Sequence, residues 1–209
     1  VRLLCRAHDG RGSASALAQG GIAAALDPHD SPAAHAADTL LAGAHHNDVA
    51  MVQWLTREAP GAIAWLQAQG VLFDRDADGR LQLGREGGHA AARIVHAGGD
   101  ASGAALVHAL RAKAQAAAHV QWRGGVDVDA LLVRDGGVVG VRTRDGRGRQ
   151  EHIEAAAVVL ATGGIGALFA RTSNPPGADG AGLALGLAGG ASPRDLEFVQ
   201  FHPTALDVA

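Results

Sequence analysis

Several short stretches carry side chains able to do chemistry. Arg85-Glu86-Gly87-Gly88-His89 places a cation, an anion, a flexible glycine pair and an imidazole within five residues, although a surface turn can also assemble such a set by chance. Near the end, EFVQFHPT (residues 197–204) sets His202 before a proline, where the chain is held extended and the ring can be aimed. Such an imidazole either holds a ligand group or is satisfied by backbone hydrogen bonds. Gln19-Gly20-Gly21 and Thr162-Gly163-Gly164 put glycine pairs after apolar or small residues, where a ligand can touch the main chain. A tight turn is the competing reading for each. Asp179-Gly180 suits a contact to a ligand hydroxyl or, by default, a helix cap.

Other chemistries are absent from the pattern. His45, His46, His89 and His96 do not form a metal-ligand spacing, and there is no CxxC, nucleophile elbow or phosphate-binding GxxxxGK[ST] motif. With 47% hydrophobic and 19% charged residues, a 209-residue chain has a globular composition and can bury a core. A net charge of -3 supplies no basic field for nucleic acid or an anionic membrane. Cys5, the single cysteine, excludes an internal disulfide and fits a reducing compartment. No apolar run approaches a membrane span, and the opening VRLLCRAHDG lacks a signal-peptide core. The expectation is a cytoplasmic chain whose natural N-terminus lies outside the sequence.

The elements that must position these residues read as α/β. VRLLC is a short buried strand, and Asp30 or Ser31 before Pro32 starts a helix running to about Gly43. Two further helices are predicted, one opening at Asn47 and one at Pro60, the latter with Ile63, Trp65 and Leu66 on its stripe. The segment from Ser102 reads as the longest helix and leads into the candidate strand HVQWRG. From Val126 short β-rich runs separated by RDGG and DGRGRQ predict a β-meander. A buried strand, VVLATGG, then delivers the chain into a glycine turn, followed by a small-residue helix after Pro175-Pro176. Without a repeat or linker, one compact body is the simplest reading.

In order, SASALAQGGIAAALD, REGGHAAARIVHAGGDASG, AAAVVLATGGIGALF, TSNPPGADGAGLAL and LEFVQFHPTAL resemble the flavoprotein family of succinate dehydrogenase, fumarate reductase and L-aspartate oxidase. REGGH with the following RIVHA resembles its L-aspartate oxidase branch most. The resemblance implies a Rossmann-like FAD-binding domain with a parallel sheet, a β-meander and inserted helices. It places Ser13 or Ser15, Gln19, Gly20 and Gly21 against the flavin or diphosphate. Val126 to Val128, including Asp127 and Val128, would meet the adenosine end through backbone groups, with Arg6 on the same side. Thr162, Gly163 and Gly164 would lie under the dinucleotide, and Asp179 would accept a hydrogen bond from it. Succinate dehydrogenases carry a flavin-bonding histidine where this chain has Ala14, so FAD is expected to be noncovalent.

The implied reaction oxidises L-aspartate to iminoaspartate, with oxygen or fumarate as electron acceptor and a functional link to quinolinate synthase in the de novo route to NAD. Glu86 would pair with the substrate ammonium, which succinate lacks, and His202 would hold a substrate carboxylate. By the same resemblance, residues 1–196 are a partial FAD-binding domain lacking its first βα unit with its GxGxxG turn, and residues 197–209 begin a capping domain. The chain is thus expected to be a fragment, and by itself poorly soluble. A fumarate reductase or succinate dehydrogenase fragment, or a noncatalytic flavin-binding remnant, is the alternative.

Overall fold

Apolar runs bounded by glycine and proline give this chain eight short strands, five α-helices and one 3-10 turn (Gly166–Leu168) among the residues that the computed structural model describes, 1–8 and 12–201. In order they are β1 (Arg2–Cys5), α1 (Ala14–Leu17), β2 (Ile22–Ala23), α2 (Pro32–Ala42), α3 (Val49–Ala68), β3 (Leu83–Gly84) and β4 (Ile94–Val95). There follow α4 (Ser102–Ala116), β5 (Gln121–Gly124), β6 (Val126–Arg134), β7 (Gly137–Asp145), β8 (Gln150–Glu154) and α5 (Ala181–Ala188). Contacts divide them into two units rather than the single body expected: one comprises the chain up to Ala14 and again from Ala118, the other Ser15–Ala117. Both crossings fall in alanine-rich sequence with no change of composition, so the sequence does not mark them.

In the first unit, β1 pairs in parallel with β5, from Arg2 opposite Gln121 to Cys5 opposite Gly124. A parallel pair needs a long crossover between its strands, and here some 115 residues intervene. The predicted meander forms as the antiparallel order β6-β7-β8. Its β6–β7 turn places Asp135 and Gly136 at φ 53° and 75°, the left-handed pair that a tight hairpin requires. Val126, Val141 and Ile153 are its buried apolar residues. The predicted buried strand VVLATGG differs: Val159 is 87% exposed, and no described strand pairs with this segment. Its apolar character is real, but a strand is defined by a neighbour, which a linear pattern cannot supply.

In the second unit, β4 lies between β2 and β3, antiparallel to both. Its core gathers Ala24, Ile63, Leu66, Val71, Phe73, Val95 and Ala97. Ser31 caps α2 as expected, its Oγ accepting from the Ala34 N–H at 3.1 Å, with Pro32 in the first turn. Two predicted helices are instead one, α3, capped by Asp48 rather than Asn47 and running through Pro60. Proline removes one helical hydrogen bond and crowds the carbonyl four residues earlier. Val52, Thr56, Ile63 and Leu66 keep one buried face on both sides of Pro60, and that burial carries the helix through. Trp65 turns outward instead, 55% exposed. At 20 residues α3, not the 15-residue α4, is the longest helix.

Candidate functional site

Three of the predicted residues share one place. Gln19, Gly20 and Glu86 line a cleft of about 560 Å³ in the second unit, with Asp74, Gln82, Gly84, His96, Gly99 and Asp100. The first turn of α4 supports the segment that carries Gln19 and Gly20. There the Gly103 N–H donates to the Ala18 carbonyl at 2.9 Å, and a Cβ on Gly103 would stand 2.0 Å from the Ser15 carbonyl oxygen.

The adjacent glycines do different things. A Cβ on Gly20 would meet nothing within 4 Å, whereas one on Gly21 would stand 2.3 Å from the Val95 carbonyl oxygen and 2.5 Å from Ile94 Cγ2. Gly21 lacks a side chain because β4 passes against it, so it has a packing reason of its own. Gly20 leaves backbone open to the cleft.

In the same lining, Glu86 sits in a turn in which the Arg85 Nε donates to the His89 carbonyl at 3.1 Å and the His89 N–H donates to the Glu86 carbonyl at 3.3 Å. The Glu86 carboxylate lies 3.2 Å from His96 Nε2. Asp74 is held differently. It accepts from the N–H groups of Gly98 and Gly99, both at 2.9 Å and both with positive φ, a backbone concavity turned onto a carboxylate. Those N–H groups, Gly99 first, hold the Asp74 carboxyl below its ordinary range.

Behind the Glu86 turn lies a buried charge cluster that the sequence does not announce. Arg93 is fully buried and meets Asp30 through two bonds of 2.8 Å and Asp38 through one of 2.5 Å. Asp38 also accepts from the Ala90 N–H at 2.8 Å, which ties the chain just after His89 to α2. The Arg93 guanidinium lowers Asp30; the Ala90 N–H, then Arg93, lowers Asp38. The His35 and His89 rings pack 5.7 Å apart beside this cluster. Burial, then the Arg93 charge, pushes His35 below its ordinary value.

The first unit brings a second predicted set together. Arg6 Nε donates to Asp127 at 2.5 Å and Arg6 Nη1 to Asp179 at 2.7 Å. Asp179 also accepts from the Ala181 N–H at 3.1 Å, so it serves the first turn of α5 as well. The Asp179 bond, followed by that to Asp127, raises Arg6, and Arg6 lowers Asp179. Asp127 was expected to act through its backbone, yet its side chain is engaged too. Val128 is half-buried in β6, opposite Thr143. Thr162 lies against Gly182, where a Cβ would come within 1.6 Å of its Oγ1. Gly163 and Gly164 would meet nothing within 4 Å. Ser13 and Ser15 are exposed. His202 lies outside the described residues.

Arg93 and Asp38 are the residues that sequence reasoning missed, and His96, weighed only as a metal ligand and set aside, lines the cleft beside Glu86. RIVHA contains two of them, but a chain-order reading assigns arginine to the surface, since charged residues are seldom fully buried without a partner. Asp30 was a cap candidate and is a buried ion-pair partner instead.

The FAD binding domain family matches residues 3–208. An L-aspartate oxidase from Mesorhizobium japonicum is 47% identical over all of this chain and 40% of its own length. One from Caulobacter vibrioides is 48% identical over 94% of the chain and 39% of its own length. Among solved structures, a mutant of the E. coli quinol fumarate reductase FrdA superposes with a TM-score of 0.94 at 32% identity, covering 98% of this chain and 35% of that one. The chain spans about 40% of the length of these curated relatives.

Proposed function

This chain belongs to the FAD binding domain family, and from that premise we propose that it is part of an FAD-dependent L-aspartate oxidase. The observation that carries the reading is one cleft lined by Gln19, Gly20 and Glu86 together. The open face of Gly20 fits a cofactor laid against the main chain. Gln19 and Gly20 would hold the flavin, Ser13 or Ser15 would reach its flavin or diphosphate, and Arg6, Asp127, Val128 and Asp179 would meet the adenosine portion. With Ala14 in place of a flavin-bonding histidine, that attachment is noncovalent.

When bound, FAD supplies the two-electron acceptor that no side chain can provide. The protein's part is orientation. Glu86 accepts from the substrate ammonium, and His202 is assigned a substrate carboxylate. L-Aspartate loses two electrons and two protons across its Cα–N bond, giving iminoaspartate. The electrons pass finally to oxygen, forming hydrogen peroxide, or to fumarate, forming succinate. Iminoaspartate would then be consumed by quinolinate synthase, on the route to NAD.

A charge-assisted hydrogen bond contributes about 1.5 to 3 kcal/mol, so Glu86 gives an amino dicarboxylate roughly a ten- to hundredfold advantage over one without nitrogen. The likeness to fumarate reductase favours a second reading, dicarboxylate redox without the amino group. Glu86→Gln separates them. Loss of L-aspartate turnover with succinate binding intact supports the oxidase, and equal loss of both supports the second reading.

A further inference from the structure

Glu86 is carried on a turn with two following glycines, and its side chain is about half exposed. Beside it His96 is the better-fixed partner, with its side chain 26% exposed. It follows the buried pair Ile94 and Val95 of β4. Its carbonyl accepts from the Asp74 N–H at 2.8 Å, and the next residue, Ala97, donates its N–H to Ser102 Oγ at 3.1 Å. Gly84 on β3 makes room for the ring, because a Cβ there would stand 3.1 Å from His96 Cε1. From this braced position Nε2 reaches Glu86 Oε1 at 3.2 Å.

We infer that His96 is a positioning residue for Glu86: its ring Nε2–H engages one carboxylate oxygen and leaves the other turned to the cleft, where it accepts from a primary ammonium on the substrate. The inference rests on the reading of Glu86 as the ammonium partner. Bound to His96, Glu86 is ordered before substrate arrives, so less conformational freedom is lost on binding. Because a carboxylate only accepts, Nε2 carries the proton of this hydrogen bond.

The consequence is a specific kinetic split. In the FAD-loaded protein, His96→Ala raises the KM for L-aspartate about tenfold, the scale set by freeing one long side chain, and changes kcat less than about twofold. The inhibition constant of succinate, which has no ammonium, stays where it was. His96→Gln keeps an N–H donor of similar reach and restores most of the affinity. Glu86→Gln, run alongside, reports on the underlying reading.

If His96→Ala leaves the KM for L-aspartate unchanged while Glu86→Gln raises it, the positioning role is wrong and the ammonium reading stands. If Glu86→Gln itself leaves that KM unchanged, the ammonium reading fails and the inference with it. If His96→Ala weakens L-aspartate and succinate equally, or lowers flavin content, His96 has a general structural role and the inference is overturned.

Discussion

Replacing Arg93 with methionine keeps most of its volume and removes its charge, and the structure sets the cost. Asp30, with 2% of its side chain exposed, and Asp38, with 16%, would both lose their guanidinium partner. Breaking a buried ion pair by removing one partner costs about 3–5 kcal/mol, because the remaining charge stays desolvated. Here two carboxylates are stranded, so the upper half of that range is expected. Against a total stability of about 5–15 kcal/mol, this is a large share. With a urea slope of about 2 kcal/mol/M, the unfolding midpoint falls by about 2 M. The assay is urea unfolding followed by circular dichroism, with the triple change Arg93→Met, Asp30→Asn, Asp38→Asn as comparison. Removing all three charges recovers much of the loss, since no buried charge is left unpaired. A single-variant midpoint within about 0.3 M of the parent would refute the reasoning, as would a triple variant no better than the single one.

Acid weakens the fold in two steps. His35 has a folded pKa below its ordinary value of 6.5, so the unfolded chain takes up its proton first and stability declines as pH falls below 6.5. Asp30, Asp38 and Asp74 have folded values below 3.8, so the stability they contribute is full above 3.8 and lost as pH falls through their lower folded values. Urea midpoints from pH 8 to 3 should show both declines, with His35→Gln removing only the upper one. The glycine pair should respond asymmetrically. Gly21→Ala forces a Cβ to 2.3 Å from a β4 carbonyl oxygen and costs about 1–3 kcal/mol. Gly20→Ala leaves thermal unfolding of the flavin-free protein nearly unchanged and weakens FAD binding, as fluorescence titration would show. Equal effects of the two on flavin-free stability would contradict the assignment.

What the sequence made legible was local. Ser31 with Pro32, the RDGG turn and the alternating runs after Val126 specify their cap, hairpin and meander within a few residues. The merging of two predicted helices into α3 was not legible. Pro60 is a local stop signal, and it is overridden by a burial face that only the tertiary structure creates. VVLATGG shows the converse, apolar residues without a paired strand beside them. At the site, Gly20 and Glu86 were singled out for their types and Gln19 through the family resemblance, and the fold brings them to one cleft. Arg6, Asp127 and Asp179, far apart in the chain, meet directly. Arg93 was not given a role and His96 was weighed only as a metal ligand, because their importance lies in partners: Asp30 is 63 residues from Arg93, and Glu86 is 10 from His96.

The measurement that bears most directly on the central claim is a flavin absorbance spectrum of the purified protein, before and after denaturation and during anaerobic addition of L-aspartate. The account predicts bound FAD that is released intact on denaturation and bleaches with L-aspartate far more readily than with succinate. Flavin that stays attached after denaturation, or that bleaches equally with both, would contradict it.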